Sequence, residues 1–232
     1  VSGVFDFAGG TVVHINSAST SLAYSIFCSW KRWIFRMKPL QVADKDLLNR
    51  PFKPHNVVNV VLGTAFLWIG WFGFNGGSAL GANLRAVSAC ISTHLAACAG
   101  GVMGTLLEYI AASRRHTDSG RFSIVGFCNG AVAGLVAITP AAGYVGLTFP
   151  LRTLKTALTE QVPYWSAPII GIAGSFFVAL FQGISESYFD TNEIFVVHGV
   201  AGWVGMLLTA AFARYANAFS RAWTGCVPLF RS

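Results

Sequence analysis

Val12-Val13-His14 and Val196-Val197-His198 are two copies of one tripeptide, each inside an apolar run and each with an aspartate eight residues before its histidine, Asp6 and Asp190. Runs of this length and apolarity read as membrane-spanning. An ionisable group inside a bilayer is costly and marks a functional site. Two of them in matched settings predict a polar pathway built from two related halves.

The rest of the chain agrees with a membrane setting. Charged residues make up 11% and hydrophobic residues 54%, and mean hydropathy is +0.57, where a soluble domain carries roughly 25% charged residues. The 25 glycines suit close helix packing in lipid. The apolar runs are continuous rather than alternating, which argues against a membrane β-barrel. The net charge of +7 sits largely in loops, where it sets orientation, so it is no nucleic-acid signal. Cys28, Cys90, Cys98, Cys128 and Cys226 lack metal or redox spacing. The first four read as small packing residues, and neither a metal nor another cofactor is expected. The chain opens on Val1 close to an apolar run, with no signal peptide in view, which suggests that sequence is missing upstream.

Six spans of roughly 20 residues are expected: Val4–Cys28, Val57–Ala79, Ala86–Ala112, Ile124–Leu147, Ala167–Gly183 and Ile194–Ala213. They form a single all-α domain over residues 1–232, with a divergent tail after 213. Basic residues crowd the loop from Lys31 to Lys53, and Arg114, Arg115 and Arg121 fill the third. Both loops lie on one side by parity, which the positive-inside rule makes cytoplasmic. The acidic link from Glu186 to Glu193 falls on that side too. His14 and His198 therefore stand on antiparallel helices and can meet near the midplane.

The second span ends Trp71-Phe-Gly-Phe74-Asn-Gly-Gly-Ser78, with Trp71, Phe74 and Ser78 on one helical face. Aromatic rings above a hydroxyl suit a small cation. Aromatic residues also belt membrane interfaces, and spacing alone leaves both readings open. Each histidine could likewise be interhelical glue rather than pathway. His55 and His116 read as solvated loop residues and His94 as packing. Asp6 could serve as a helix cap, an electrostatic anchor, or both. Thr139-Pro140 reads as a helix break, with Gly130, Gly134 and Gly143 as packing glycines.

Four ordered segments carry a family resemblance: Asp6-Phe-Ala-Gly-Gly-Thr-Val-Val-His14, Gly70-Trp-Phe-Gly-Phe-Asn-Gly-Gly-Ser78, Gly134-Leu-Val-Ala-Ile-Thr-Pro-Ala-Ala-Gly143 and Val197-His-Gly-Val-Ala-Gly202. The chain resembles the ammonium transporter (Amt/Mep/Rh) family, and its wording is most similar to the fungal Mep branch. The resemblance implies an ammonium-transporter-like bundle with inverted repeats, one hydrophobic pore per subunit and a homotrimer in the plasma membrane. It implies that His14 and His198 line the pore, that Phe74 belongs to the outer gate, and that Trp71 and Ser78 recruit ammonium at the outer mouth. Asp6 and Asp190 become supporting acids. The implied partners are ammonium or ammonia and the lipid bilayer, with no nucleic acid.

The chain departs from the family in extent. Its six spans match helices five to ten, so the first four helices and the last have no counterpart, and a partial chain is expected. Glu193 stands where the family has Asp. Three other readings remain: an ammonium-sensing receptor without transport, an inactive partial chain, and a membrane metalloenzyme. The last lacks a His-Glu-x-x-His pattern and an obvious third ligand, so the chain is not expected to be an enzyme.

Overall fold

The fourth apolar segment is the hub, because its sequence offers no polar face to turn outward. The computed structural model describes residues 5–34, 54–114, 122–145, 164–188 and 193–212. Six α-helices run through them: α1 (Asn16–Ile34), α2 (Val57–Trp71), α3 (Leu84–Arg114), α4 (Ile124–Ile138), α5 (Ser166–Tyr188) and α6 (Ala201–Phe212). Three of these are joined to π-helical turns: π1 (Gly10–Ile15) leads into α1, π2 (Phe72–Gly76) extends α2, and π3 (Phe195–Val200) leads into α6. Such turns inside α-helices concentrate at functional sites. Here π1 holds His14, π2 holds Phe74 and π3 holds His198.

Helix α4 starts at Ser123, whose hydroxyl accepts from the Gly126 N–H at 3.3 Å. It lies against α2, α3, α5, α6 and two of the π turns, and Leu135, Val136, Ala137 and Ile138 are fully buried. Glycine makes its contact with α3 possible. A Cβ on Gly130 would strike the Gly100 carbonyl, and one on Gly134 would strike the Ala96 carbonyl. From the other side, a Cβ on Gly104 would strike the Gly126 carbonyl. Small residues at four-residue spacing on both helices let the backbones touch, which is how helices associate in lipid, where burial from water gives no drive.

Helix α4 stops at the predicted break. Pro140 has no N–H to continue the ladder, and the chain turns through Gly143. The freed Pro140 carbonyl accepts from the Phe7 N–H at 3.0 Å. Arg85, at the start of α3, fixes the same corner. Its Nε donates to the Gly143 carbonyl at 3.0 Å, and its guanidinium lies 5.4 Å from the Phe7 ring centre and 5.5 Å from that of Tyr144.

The helices run past two expected ends, α1 to Ile34 rather than Cys28 and α5 to Tyr188 rather than Gly183, and fall short at two others. The first helical turn begins at Gly10 rather than Val4, because residues 5–9 form a non-helical strap that Asp6 folds back on itself. The fourth helix ends at Ile138 rather than Leu147, for the proline reason above. Among the described residues, three helical stretches are long and apolar enough to cross a membrane: Val57–Gly76, Leu84–Ser113 and Phe195–Phe212. Ile124–Ile138 and Ser166–Gln182 are shorter apolar helices.

Candidate functional site

The site forms where π1, π2, π3 and the end of α4 converge. Asp6 sets the start of π1. Its carboxylate accepts from the backbone N–H groups of Gly9 at 3.1 Å, Gly10 at 2.5 Å and Thr11 at 2.8 Å. Helix starts leave such N–H groups without backbone partners, and a carboxylate satisfies them while opposing the positive end of the dipole. Gly9 adopts φ 104°, a left-handed conformation that favours glycine. Gly10 admits Pro140, since a Cβ there would come within 2.9 Å of that ring. Asp6 is therefore a cap in this structure. The Asp6→Ala variant should lose about 1–2 kcal/mol of stability. The measurement is the melting temperature of the complete chain in detergent, and a melt equal to wild type would remove the capping role.

The two histidines meet. His14 Nδ1 lies 3.1 Å from His198 Nδ1, with ring centres 5.2 Å apart and planes inclined by 27°. Gly202 brings α6 onto π1: a Cβ there would sit 3.2 Å from Ile15 and 3.5 Å from the His14 Cβ. Gly199 does the same for π3 and α1, where a Cβ would come 2.9 Å from that of Ala18. His14 is buried, with 3% of its surface exposed.

Thr139 decides how the pair is hydrogen-bonded. Its hydroxyl donates its one proton to the Leu135 carbonyl at 2.8 Å. Trp71 Nε1, which can only donate, gives a bond of 3.0 Å to the same oxygen. His14 Nε2 stands 3.2 Å from it. The oxygen can only accept there, so His14 carries its proton on Nε2 and presents a bare Nδ1. His198 must then donate from Nδ1, and in a neutral ring its Nε2 is the acceptor. With both rings neutral, the pair is thus polarised in one direction.

Trp71 lies beside the histidines. It is buried at 7% exposure, and its ring stacks on His14 at 5.3 Å and 14°. Its indole N–H donates to Thr139, which places it in one layer with His14. Seven residues of helix put Ser78 about 10 Å further along. There its hydroxyl donates to the Phe74 carbonyl at 2.8 Å. Phe74 joins the two levels, 5.9 Å from His14 and 5.6 Å from Trp71 between ring centres. Asp190 lies outside the described residues, as does His116. His55 is exposed, and His94 is exposed too while contacting Trp68 and Phe72 at 5.5 and 6.1 Å.

Sequence reading took Thr139 only as part of a helix break. The available signal was its place in Ala-Ile-Thr139-Pro, one of the four segments that carry the resemblance. It also passed over Asn75, which is fully buried and donates to Thr93 Oγ1 at 2.9 Å. In the sequence Glu193 stands out as the end of an acidic link and as a replacement for Asp. Its carboxylate accepts from Gln182 Nε2 of α5 at 2.7 Å and from Asn129 Nδ2 of α4 at 3.1 Å.

Apolar spanning helices, glycine-mediated packing and an imidazole pair between them define an all-α multi-pass membrane protein. The chain belongs to the ammonium transporter family: the profile of the Ammonium Transporter Family matches residues 1–149 and 154–227. Ammonium transporter 1 of Schizosaccharomyces pombe is 44% identical over 213 residues, 91% of this chain and 35% of that protein. Among solved structures, Saccharomyces cerevisiae Mep2 is similar with a TM-score of 0.71 at 34% identity, over 93% of this chain and 41% of that one. Candida albicans Mep2 has a TM-score of 0.70 at 36% identity, over 94% and 41%. The chain thus spans 35% of the length of the Schizosaccharomyces relative. Membership makes it a multi-pass protein of the plasma membrane.

Proposed function

We propose that this chain supplies the histidine-bearing part of a pore that conducts ammonium or ammonia across the plasma membrane. The observation that carries this reading is the 3.1 Å contact between His14 and His198, oriented by Thr139 and Trp71 at the junction of three π turns. Ammonium is a cation at neutral pH, and an apolar passage penalises the charged form. Ser78 has its hydroxyl proton on the Phe74 carbonyl, so its oxygen lone pairs serve an incoming N–H donor. Phe74 stands between Ser78 and His14 and acts as the gate. Ammonia then passes the imidazoles, which offer donor and acceptor atoms without net charge. Trp71 holds His14 in plane. Asp6 supports the pathway by fixing π1, and Asp190 is the matching acid of the second half. The working assembly is a homotrimer of complete chains in lipid, acting without an enzymatic step.

The test is uptake of labelled ammonium by vesicles containing the complete native chain. Saturable uptake above that of empty vesicles is expected. Ammonium binding without uptake would replace conduction with sensing.

A further inference from the structure

We propose that Glu193 is a positioning residue for His198, bracing π3 so that the imidazole pair keeps its contact. The proposal rests on the pore reading above. Three independent observations meet at this residue. Its backbone is left-handed at φ 58°, a conformation that a non-glycine residue holds only where its surroundings over-determine it. Its carboxylate joins two helices, taking one amide N–H from Gln182 of α5 and one from Asn129 of α4. Its carbonyl accepts from the Val197 N–H at 2.9 Å, the residue directly before His198.

The geometry makes Glu193 a lever on the imidazole. Glu193 lies two residues before π3 (Phe195–Val200), and its carbonyl holds the N–H of Val197 inside that turn. A displacement at one end of π3 is therefore passed to the ring one turn away. Asp6 and Glu193 do matched work in the two halves by different means. Asp6 caps π1 along its axis through three N–H groups, while Glu193 braces π3 from the side through two amides. Asp190, the partner of Asp6 in the sequence repeat, lies outside the described residues; among the described residues these contacts belong to Glu193.

A bracing role needs acceptor atoms of the right reach and does not need charge. Glutamine keeps the reach, and either Asn129 or Gln182 can turn its amide to offer an oxygen to the new NH2 group. An electrostatic role, such as attracting the cation, would be lost in the same variant. The experiment uses the complete chain in nanodiscs and vesicles, with Glu193→Ala, Glu193→Gln and Gln182→Leu. In Glu193→Ala the maximal uptake rate should fall about tenfold with KM unchanged, since misplacing a group in the path costs rate rather than recruitment. Glu193→Gln should stay within about twofold of wild type. The 15N resonances of the paired histidine Nδ1 atoms should move in Glu193→Ala and hold in Glu193→Gln. Gln182→Leu removes one strut and should give an intermediate resonance shift, which keeps the test open if Glu193→Ala does not fold. Equal loss in the glutamine and alanine variants would overturn the proposal in favour of charge. Unmoved histidine resonances in Glu193→Ala would overturn it as well. The resonance arm is independent of flux, so absence of uptake by wild type would remove the pore reading while leaving the Glu193–His198 coupling measured.

Discussion

Replacing His14 by alanine is expected to bring ammonium uptake by the complete chain down to the rate of empty vesicles. His14 is the centre of the site: it touches His198, Thr139, Trp71 and Phe74. Its loss leaves the Thr139 oxygen short of one donor and takes the acceptor from His198 Nδ1. Each buried polar group left without its partner costs about 1–3 kcal/mol. Two of them in the path correspond to about a hundredfold in rate or more. His198→Ala should fall nearly as far, because the pair works as a unit. The readout is the initial rate of labelled ammonium entry, normalised to folded protein. A rate near wild type for both variants would take the imidazole pair out of the permeation path.

The largest structural effect is expected at Gly130. A Cβ there meets the Gly100 carbonyl and comes within 2.9 Å of the Gly104 Cα. Both are backbone atoms of α3, so no side chain can rotate away. Gly130→Ala must push α3 from α4, the most extensive helix contact among the described residues. Overpacking costs about 1–3 kcal/mol where side chains can yield, and about 3 kcal/mol or more is expected here. Gly130→Val should leave no folded protein after detergent extraction. Among the described residues nothing lies within 4 Å of a Cβ built on Gly63, so Gly63→Ala is the matched control. Equal melting temperatures for Gly130→Ala and Gly63→Ala would show that the helices do not meet at their backbones.

Much of this architecture is written locally in the chain. A long apolar run reports a membrane helix through its own composition, and four of the six expected spans correspond to helices whose centres lie where hydropathy put them, while the fourth is cut short by Pro140. The first was displaced towards its C-terminal end because Asp6 reaches forward to Gly9, Gly10 and Thr11 and keeps the strap before them out of the helix. A capping acid is legible in sequence, but how many N–H groups it takes is not. The π turns were invisible as well. Gly-Thr-Val-Val-His-Ile and Phe-Val-Val-His-Gly-Val hold no residue type that demands a wider turn, so their packing selects it.

The sequence by itself determined that this is an all-α membrane protein with two matched histidines, because hydropathy and a short repeat are properties of neighbouring residues. Only the tertiary structure decided what each side chain in the site does. His14 meets its partners 125 and 184 residues away, Thr139 and His198, and Trp71 meets Thr139 at a separation of 68. Those contacts fix the direction of the imidazole pair, place Trp71 in the histidine layer, and give Glu193 its hold on π3. None of them follows from local spacing, since each depends on where α4 stops at Pro140 and on glycines that let the helices close around it.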